Sequence, residues 1–140
     1  MITAYIDGGS RGNPGPAGYG VHIVEDDGSV VEELHESVGT ATNNVAEYRG
    51  LIAALAWAID RGLTTLHVRS DSELLVKQLR GEYRVKNPNL QPLYADACAL
   101  VRRIGRVTFE HVRRELNKDA DRLANLAMDE AALPPSAGPQ

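Results

Sequence analysis

Three strand-like segments precede the first helical pattern in this sequence, and this order constrains the fold more than any other feature. Residues 2–6 alternate in hydrophobicity and are followed by the turn-forming segment 7–9. Residues 20–25 and 30–38 are also β-rich, and they flank an Asp-Asp-Gly hairpin signal at 26–28. Sequential strands usually pair with one another, so the first part of the chain predicts a β-meander.

Helical and strand-like segments alternate along the rest of the chain. The clearest helix covers 44–61, where apolar residues recur every three or four positions and Gly62 follows as a stop signal. Strands separated by helices add to a sheet in parallel. We therefore predict an α/β fold in the order βββαβααβα, with one mixed five-stranded sheet and helices on both faces. The other predicted segments are loops over 10–18 and 81–92, strands over 65–70 and 106–113, and helices over 72–79, 93–104 and 118–131.

Composition limits the class of protein. The 140 residues are 43% hydrophobic and 24% charged, so we expect one globular domain over 1–133 and a disordered, proline-containing tail over 134–140. The longest apolar run, 51–59, is too short to cross a membrane. The single cysteine, Cys98, is expected in the core and favours a cytoplasmic location. The net charge of −4 argues against nucleic-acid binding by bulk positive charge alone, and we expect a monomer because no apolar stripe is left over.

Four carboxylates stand at junctions between predicted elements. Asp7 ends the first strand and Asp71 follows the fourth, whereas Glu47 and Asp121 lie in the first turns of two helices. If the two strands are neighbours and the two helix starts face them, the four groups converge. Converging carboxylates raise one another's pKa unless a cation neutralises them, and such oxygen-rich sites suit Mg²⁺ or Mn²⁺.

Each of these acids also has a simpler explanation when taken alone. Asp7 opens an ordinary Asp-Gly turn, and Asn44 with Glu47 fits a capping box. Asp71 fits an N-cap, and Asp121 fits the preference of acids for a helix N-terminus. Spacing alone leaves both explanations open.

Four sequence segments together resemble type 1 ribonuclease H. They are DGGSRGNPGPAGYG from Asp7, TNNVAEYRGL from Thr42, SDSELLV from Ser70 and RRELNKDADRLAN from Arg113. They occur in the order and spacing of that family, and the resemblance runs from Ile2 to about Ala131. The resemblance implies the ribonuclease H-like fold and cleavage of the RNA strand of RNA–DNA hybrids with divalent metal ions.

The resemblance also implies roles for the four carboxylates. It identifies Asp7, Glu47, Asp71 and Asp121 as catalytic residues that hold two Mg²⁺ ions, for which Mn²⁺ is expected to substitute. Asp7 would contact both ions. Glu47 and Asp71 would favour the ion near the leaving group, and Asp121 the ion near the attacking water. The expected products carry 5′-phosphate and 3′-hydroxyl ends.

Substrate contacts follow from the same resemblance. Asn13 and Asn43 match amides that contact the RNA minor groove, and backbone groups near Gly12 and at Asn43 and Asn44 would contact 2′-hydroxyls. Thr42 matches a residue of the pocket that binds a DNA phosphate. On residue preference alone, Asn13 is explained by a Gly-Asn-Pro-Gly turn and Asn43 by a helix-capping segment.

Two positions depart from the pattern of many family members. Glu73 stands where many carry a Gln, and a carboxylate can only accept hydrogen bonds from the hybrid. The loop before the last helix has no His, and in a sub-branch that shares the Arg-Glu-X-Asn form the Arg takes its place. We therefore expect Arg114 to act as an auxiliary residue that holds the product phosphate, although a surface Arg in a charged turn explains it equally well.

The remaining basic and imidazole groups suggest weak substrate contacts. The segment 78–90 keeps only three bases where other members have a basic protrusion, so modest affinity and a shallow salt dependence are expected. We interpret His111 as a structural residue in or beside the core. A non-catalytic hybrid-binding module on the same fold is the alternative function, although a pure binder has no need of four converging acids. The three bases are Arg80, Arg84 and Lys86, and the histidines without metal-ligand spacing are His22, His35 and His67.

Overall fold

The computed structural model describes residues 1–133, and the predicted tail over 134–140 lies outside the described residues. The predicted order of elements is confirmed. The strands are β1 (Thr3–Ser10), β2 (Gly15–Val24), β3 (Val30–Ala41), β4 (Thr65–Ser70) and β5 (Arg106–His111). The helices are α1 (Asn43–Asp60), α2 (Glu73–Leu79), α3 (Gln91–Ile104) and α4 (Lys118–Ala132), and one 3₁₀ turn spans Arg114–Leu116.

The five strands form one mixed sheet in the order β3-β2-β1-β4-β5. The first three strands pair in antiparallel fashion, as the predicted meander requires, and β4 and β5 add in parallel on the other side of β1. Helix α1 packs on β1 and β2 and is itself covered by α3, whereas α4 packs on β2, β3 and β1. Within residues 1–133 no helix has both the length and the apolar character needed to cross a membrane.

Strand β1 is longer than predicted, because Gly8 and Gly9 continue the strand instead of turning the chain. A Cβ on Gly8 would lie 2.4 Å from the backbone carbon of Ala46 in α1, a separation that no ordinary residue tolerates. Glycine at this position therefore allows helix and strand backbones to approach closely. As a result Asp7 lies within β1 and not at its end, which corrects the prediction.

A second close approach seats α4 on the opposite face of the sheet. A Cβ on Gly20 of β2 would lie 2.4 Å from the backbone oxygen of Ala120 in α4. Gly20 pairs with Asp7 across the β1–β2 ladder, so the start of α4 is held beside Asp7. The register of the sheet and one glycine thereby fix where the last helix begins relative to the first strand.

The caps of α1 and α2 differ from those that the sequence pattern predicts. The Thr42 side chain caps α1 by accepting a hydrogen bond from the Val45 N–H at 3.3 Å, so the cap is not Asn44. Because α1 begins at Asn43, Glu47 lies in its second turn and not in its first. Ser72 caps α2, so the preceding Asp71 is free of a capping role.

Candidate active site

Two of the four carboxylates meet because their strands are parallel neighbours. Ile6 of β1 pairs with Ser70 of β4, so the residues that follow, Asp7 and Asp71, lie side by side towards the carboxyl ends of these two parallel strands. The Asp7 residue is only 9% exposed. Strand β4 ends at Ser70, and the next residue, Asp71, lines a cleft together with Asp7.

The two helices bring the other carboxylates to the same place. A Cβ added to Gly8 would lie only 2.4 Å from the backbone nitrogen of Glu47, so this turn of α1 packs directly on β1. One side-chain oxygen from each of Asp7, Glu47 and Asp71 lies within 4.8 Å of the others. From α4 the Asp121 carboxyl lines the same cleft, and its proximity contributes to the raised pKa of Asp7.

The electrostatics of this cluster strongly oppose ionisation. Burial, followed by the nearby charges of Asp71 and Asp121, raises the pKa of Asp7 to about 8. Burial, followed by the charges of Asp7 and Asp71, also holds the pKa of Glu47 well above its usual range. The Arg114 guanidinium acts in the opposite direction on the Glu47 pKa but does not offset these effects.

These groups fit a divalent metal ion. The Glu47 Oε2 atom is buried and has no hydrogen-bond partner among the described residues, which is costly unless a cation occupies the space beside it. Carboxylate oxygens are the ligands that Mg²⁺ and Mn²⁺ prefer. The cleft has a volume of about 350 Å³ and is lined by all four carboxylates, so there is also room for water and a substrate oxygen.

Arg114 lines the same cleft, on the 3₁₀ turn between β5 and α4. The turn is anchored by Asn117, which sequence analysis did not single out. The buried Asn117 side chain donates a hydrogen bond from Nδ2 to the Ile6 carbonyl at 2.9 Å, and the Asn117 backbone carbonyl accepts a hydrogen bond from the Asp121 N–H at 3.0 Å. One residue therefore connects β1 just before Asp7 to the helix turn that carries Asp121. The preference of Asn for N-cap positions was the only signal available in the sequence.

The predicted minor-groove amides lie in the loop between β1 and β2 (Asn13) and at the first residue of α1 (Asn43), and these two segments are hydrogen-bonded to each other. The Asn43 N–H donates to Asn13 Oδ1 at 2.9 Å, and the Ser10 N–H donates to Asn43 Oδ1 at 2.7 Å. Because both side-chain oxygens accept from backbone N–H groups, each amide presents its NH₂ group as a donor. Asn13, Asn43 and Asn44 are all exposed, and Gly12 supplies the positive φ of 115° that the loop requires.

Glu73, which stands where many family members carry a Gln, forms an ion pair within its own helix. Lys77, one helical turn later, contacts the Glu73 carboxylate at 2.7 Å and lowers its pKa. The negative charge of Glu73 is therefore paired with a cation of the same helix.

One of the three bases in segment 78–90 is already hydrogen-bonded within the protein. Arg80 donates two hydrogen bonds, at 3.0 and 2.6 Å, to the Phe109 carbonyl on edge strand β5. Arg80 therefore covers part of an exposed strand edge. The other two bases of this segment, Arg84 and Lys86, are exposed.

The histidines and the cysteine differ from expectation. The prediction that His111 lies in or beside the core is wrong, because it is exposed as the last residue of β5, where it pairs in register with Ser70. Cys98 is half-buried and not fully in the core. His22 lies with Glu33 and Asp119 in a group of potential ligands, which the sequence spacing did not suggest. Both carboxylates of that group already contact Arg122, at 2.8 and 3.5 Å, so the Arg122 guanidinium supplies the positive charge there.

Comparisons with known proteins agree with this geometry. The reverse transcriptase-like family matches residues 5–127. A bifunctional protein of Mycobacterium tuberculosis is 52% identical over 132 residues, which are 94% of this chain and 36% of that protein. A ribonuclease HI of Halobacterium salinarum is 45% identical over 130 residues, covering 93% of this chain and 65% of the relative. The chain thus spans about a third of the mycobacterial relative and about two thirds of the archaeal one.

Solved structures extend the similarity to three dimensions. The crystal structure of LC11 ribonuclease H1 in complex with an RNA/DNA hybrid superposes with a TM-score of 0.90 at 41% identity, covering 95% of this chain and 100% of that one. The mixed five-stranded sheet with four helices is therefore the ribonuclease H fold. Sequence match, fold and acidic cluster agree, and the chain belongs to the reverse transcriptase-like family and, within it, to the type 1 ribonucleases H.

Proposed function

We propose that this chain is an endoribonuclease that hydrolyses the RNA strand of RNA–DNA hybrids. The observation that carries the proposal is the convergence of Asp7, Glu47 and Asp71 at one edge of the sheet, with Asp121 adjacent. A relative with the same fold was solved with an RNA/DNA hybrid, which supports this choice of substrate. A binding module alone would have no use for a carboxylate cluster whose pKa values are raised so far by burial and mutual repulsion.

Two Mg²⁺ ions are the proposed cofactor, with Mn²⁺ as a substitute. When bound, such ions lower the pKa of an attacking water and stabilise negative charge on the phosphate and the leaving oxygen. Asp7 would contact both ions, a role supported by the presence of Asp71 and Asp121 in the same cleft. Glu47 and Asp71 would hold the ion on the leaving-group side, and Asp121 the ion on the water side.

Arg114 and the loop amides complete the proposed site. The Arg114 guanidinium stays protonated, so it holds a product phosphate and does not act as a general base. The NH₂ groups of Asn13 and Asn43 would donate to acceptors in the RNA minor groove, and backbone groups near Gly12 and Asn44 would contact 2′-hydroxyls. The Thr42 hydroxyl accepts a bond from Val45 and still has its own proton to donate to a DNA phosphate.

Replacement of single carboxylates tests the function. Asp7→Asn keeps the shape of the side chain but removes the charge, and we expect cleavage of a 5′-labelled RNA–DNA hybrid in Mg²⁺ to fall at least about a hundredfold. Asp96→Asn, on the exposed side of α3, is the matched control and should retain the wild-type rate. The products should carry 5′-phosphate and 3′-hydroxyl ends. Cleavage by Asp7→Asn at the wild-type rate would contradict the mechanism, and hybrid binding without turnover by the wild type would favour a binding module.

A monomeric state and a cytoplasmic location are also proposals. The single cysteine, Cys98, allows no internal disulfide, which is typical of proteins from reducing compartments. Light scattering during size-exclusion chromatography measures the mass directly, and the expected value is that of one 15.2 kDa chain.

A further inference from the structure

Two cationic side chains line the carboxylate cleft among the described residues, and only one of them was predicted. Arg114 borders it from the 3₁₀ turn, and Arg11 borders it from the loop between β1 and β2. We propose that Arg11 is a second phosphate-binding residue, which contacts a backbone phosphate of the RNA strand next to the scissile one. This inference rests on the proposed function and adds a specific substrate contact to it.

The Arg11 guanidinium is held in place by α4. Its Nη1 group donates to the Asp129 carboxylate, and its Nη2 group faces the Asn125 carbonyl and side-chain oxygen at 3.5 and 3.4 Å. The backbone is fixed as well, because the Arg11 N–H donates to the Pro16 carbonyl at 2.9 Å. An arginine whose guanidinium and backbone are both held by hydrogen bonds loses less conformational entropy when it binds an anion.

Asn125 and Asp129, which together form a clamp around the Arg11 guanidinium, are connected to the candidate metal ligands. The Asn125 Nδ2 group donates to the Asp121 carbonyl at 2.9 Å, so the amide that faces Arg11 also contacts the helix turn that carries Asp121. Arg11 is thereby kept at a fixed position relative to the carboxylates. The strand that enters this cleft to be cut is the RNA strand, so its phosphates are the anions that Arg11 meets.

Stability does not account for this arrangement. The side chains of Arg11 and Asp129 are 44% and 62% exposed, and ion pairs this exposed contribute little to folding. A guanidinium carries five N–H groups, of which the clamp engages only part. The free N–H groups can form charge-assisted hydrogen bonds with phosphate oxygens, the partner for which the planar fork is best suited.

Steady-state cleavage of a hybrid in Mg²⁺ at several KCl concentrations tests this proposal with Arg11→Ala, Arg11→Lys and the control Arg102→Ala on the exposed side of α3. Arg11→Ala should raise KM about fivefold, as expected for the loss of one charge-assisted contact, while kcat stays within about twofold. The slope of log(kcat/KM) against log[KCl] should become shallower by about 0.9, the value for one phosphate contact. Arg11→Lys should keep the slope but recover KM only in part, because it keeps the charge and loses the fork.

A Mg²⁺ titration of each variant separates contact from support. An unchanged Mg²⁺ midpoint in Arg11→Ala, together with a raised KM, would support a direct phosphate contact. A fall in kcat with a shifted Mg²⁺ midpoint would mean that Arg11 only supports Asp121, and it would overturn the proposal, as would an unchanged KM and salt slope. If the wild type failed to cut the hybrid, the proposed function would fall and this inference with it, whereas normal wild-type cleavage with an unaffected Arg11→Ala would overturn this inference alone.

Discussion

At the scale of single residues, Asp7 is a carboxyl group whose folded environment differs strongly from water. Its pKa is raised from 3.8 to about 8 by burial first, and then by Asp71 and Asp121. Between these two pH values the folded protein keeps the Asp7 proton, whereas the unfolded chain has released it. The contribution of Asp7 to the free energy of unfolding therefore falls as the pH rises from about 4 to about 8.

Asp7→Asn should stabilise the metal-free protein while removing activity. In EDTA at pH 8 we expect the free energy of unfolding to increase by several kcal/mol, at about 1.4 kcal/mol for each pKa unit, because the folded wild type holds a proton on Asp7 that the unfolded chain releases, whereas Asn does not titrate. At pH 5 the gain should be about threefold smaller, because this pH is only about one unit above the pKa of the unfolded carboxyl. Urea unfolding at the two pH values checks this, with Asp96→Asn as the control. An equal gain at both pH values would refute this electrostatic explanation.

Glu73→Gln tests the departure at the start of α2. Removal of the carboxylate takes a negative charge away from the hybrid and supplies an amide donor, so we expect KM for the hybrid to fall about two- to threefold with kcat unchanged. The effect should be small because Lys77 already pairs with Glu73. Glu25→Gln, in the exposed turn after β2, is the control for a general charge effect and should leave KM unchanged. A higher KM in Glu73→Gln would contradict this interpretation.

At the scale of secondary structure elements, the sequence predicted existence and order well and boundaries less well. Strand β4 has the predicted bounds, and α4 differs by one residue, because their periodicity is uninterrupted. Strand β1 runs on to Ser10 through Gly8 and Gly9, whose small size serves packing against α1, and sequence patterns cannot tell this use of glycine from a turn. The positions of Arg11 and Asn117 in the site depend on contacts with α4 and β1, more than a hundred residues apart, which no local pattern reveals.

Gly8→Ala tests the contact that carries Glu47 to the site. The added Cβ would clash with the α1 backbone, and we expect a loss of about 3 kcal/mol or more in the free energy of unfolding, together with a loss of cleavage. Gly28→Ala is the control, because its Cβ would meet nothing within 4 Å and only its φ of 87° is unfavourable. That variant should lose about 1 kcal/mol and stay active. Comparable stability of the two variants in urea unfolding would show that Gly8 is not needed for the close approach of α1.

At the scale of the whole molecule, the formal charges balance outside the site. The four site carboxylates account for the entire formal net charge of −4, because the other 15 acidic residues match the 15 basic ones. The acidic protein can approach a polyanion because this charge is local and is neutralised by divalent cations. Arg80 is engaged with the Phe109 carbonyl, so Arg84 and Lys86 are the bases of segment 78–90 that remain to contact phosphates outside the cleft.

Hybrid binding should therefore depend only weakly on salt. We expect the logarithm of the association constant to fall with log[KCl] at a slope of magnitude below about 4, as for a protein with only a few phosphate contacts. Fluorescence anisotropy with a labelled hybrid and the Asp7→Asn variant in Mg²⁺ gives this slope without cleavage. A slope of magnitude near 8 would mean that a large basic surface, absent from the described residues, takes part in binding.

The most direct test of the central claim is a strand-specific cleavage assay with the wild-type chain. An RNA–DNA hybrid, an RNA duplex and a DNA duplex, each labelled on one strand, are incubated with the protein in Mg²⁺, with and without EDTA. The site predicts cuts in the RNA strand of the hybrid in Mg²⁺, intact DNA strands throughout, and no cleavage in EDTA. Cleavage of the hybrid that persists in EDTA, or an intact hybrid in both Mg²⁺ and Mn²⁺, would contradict it.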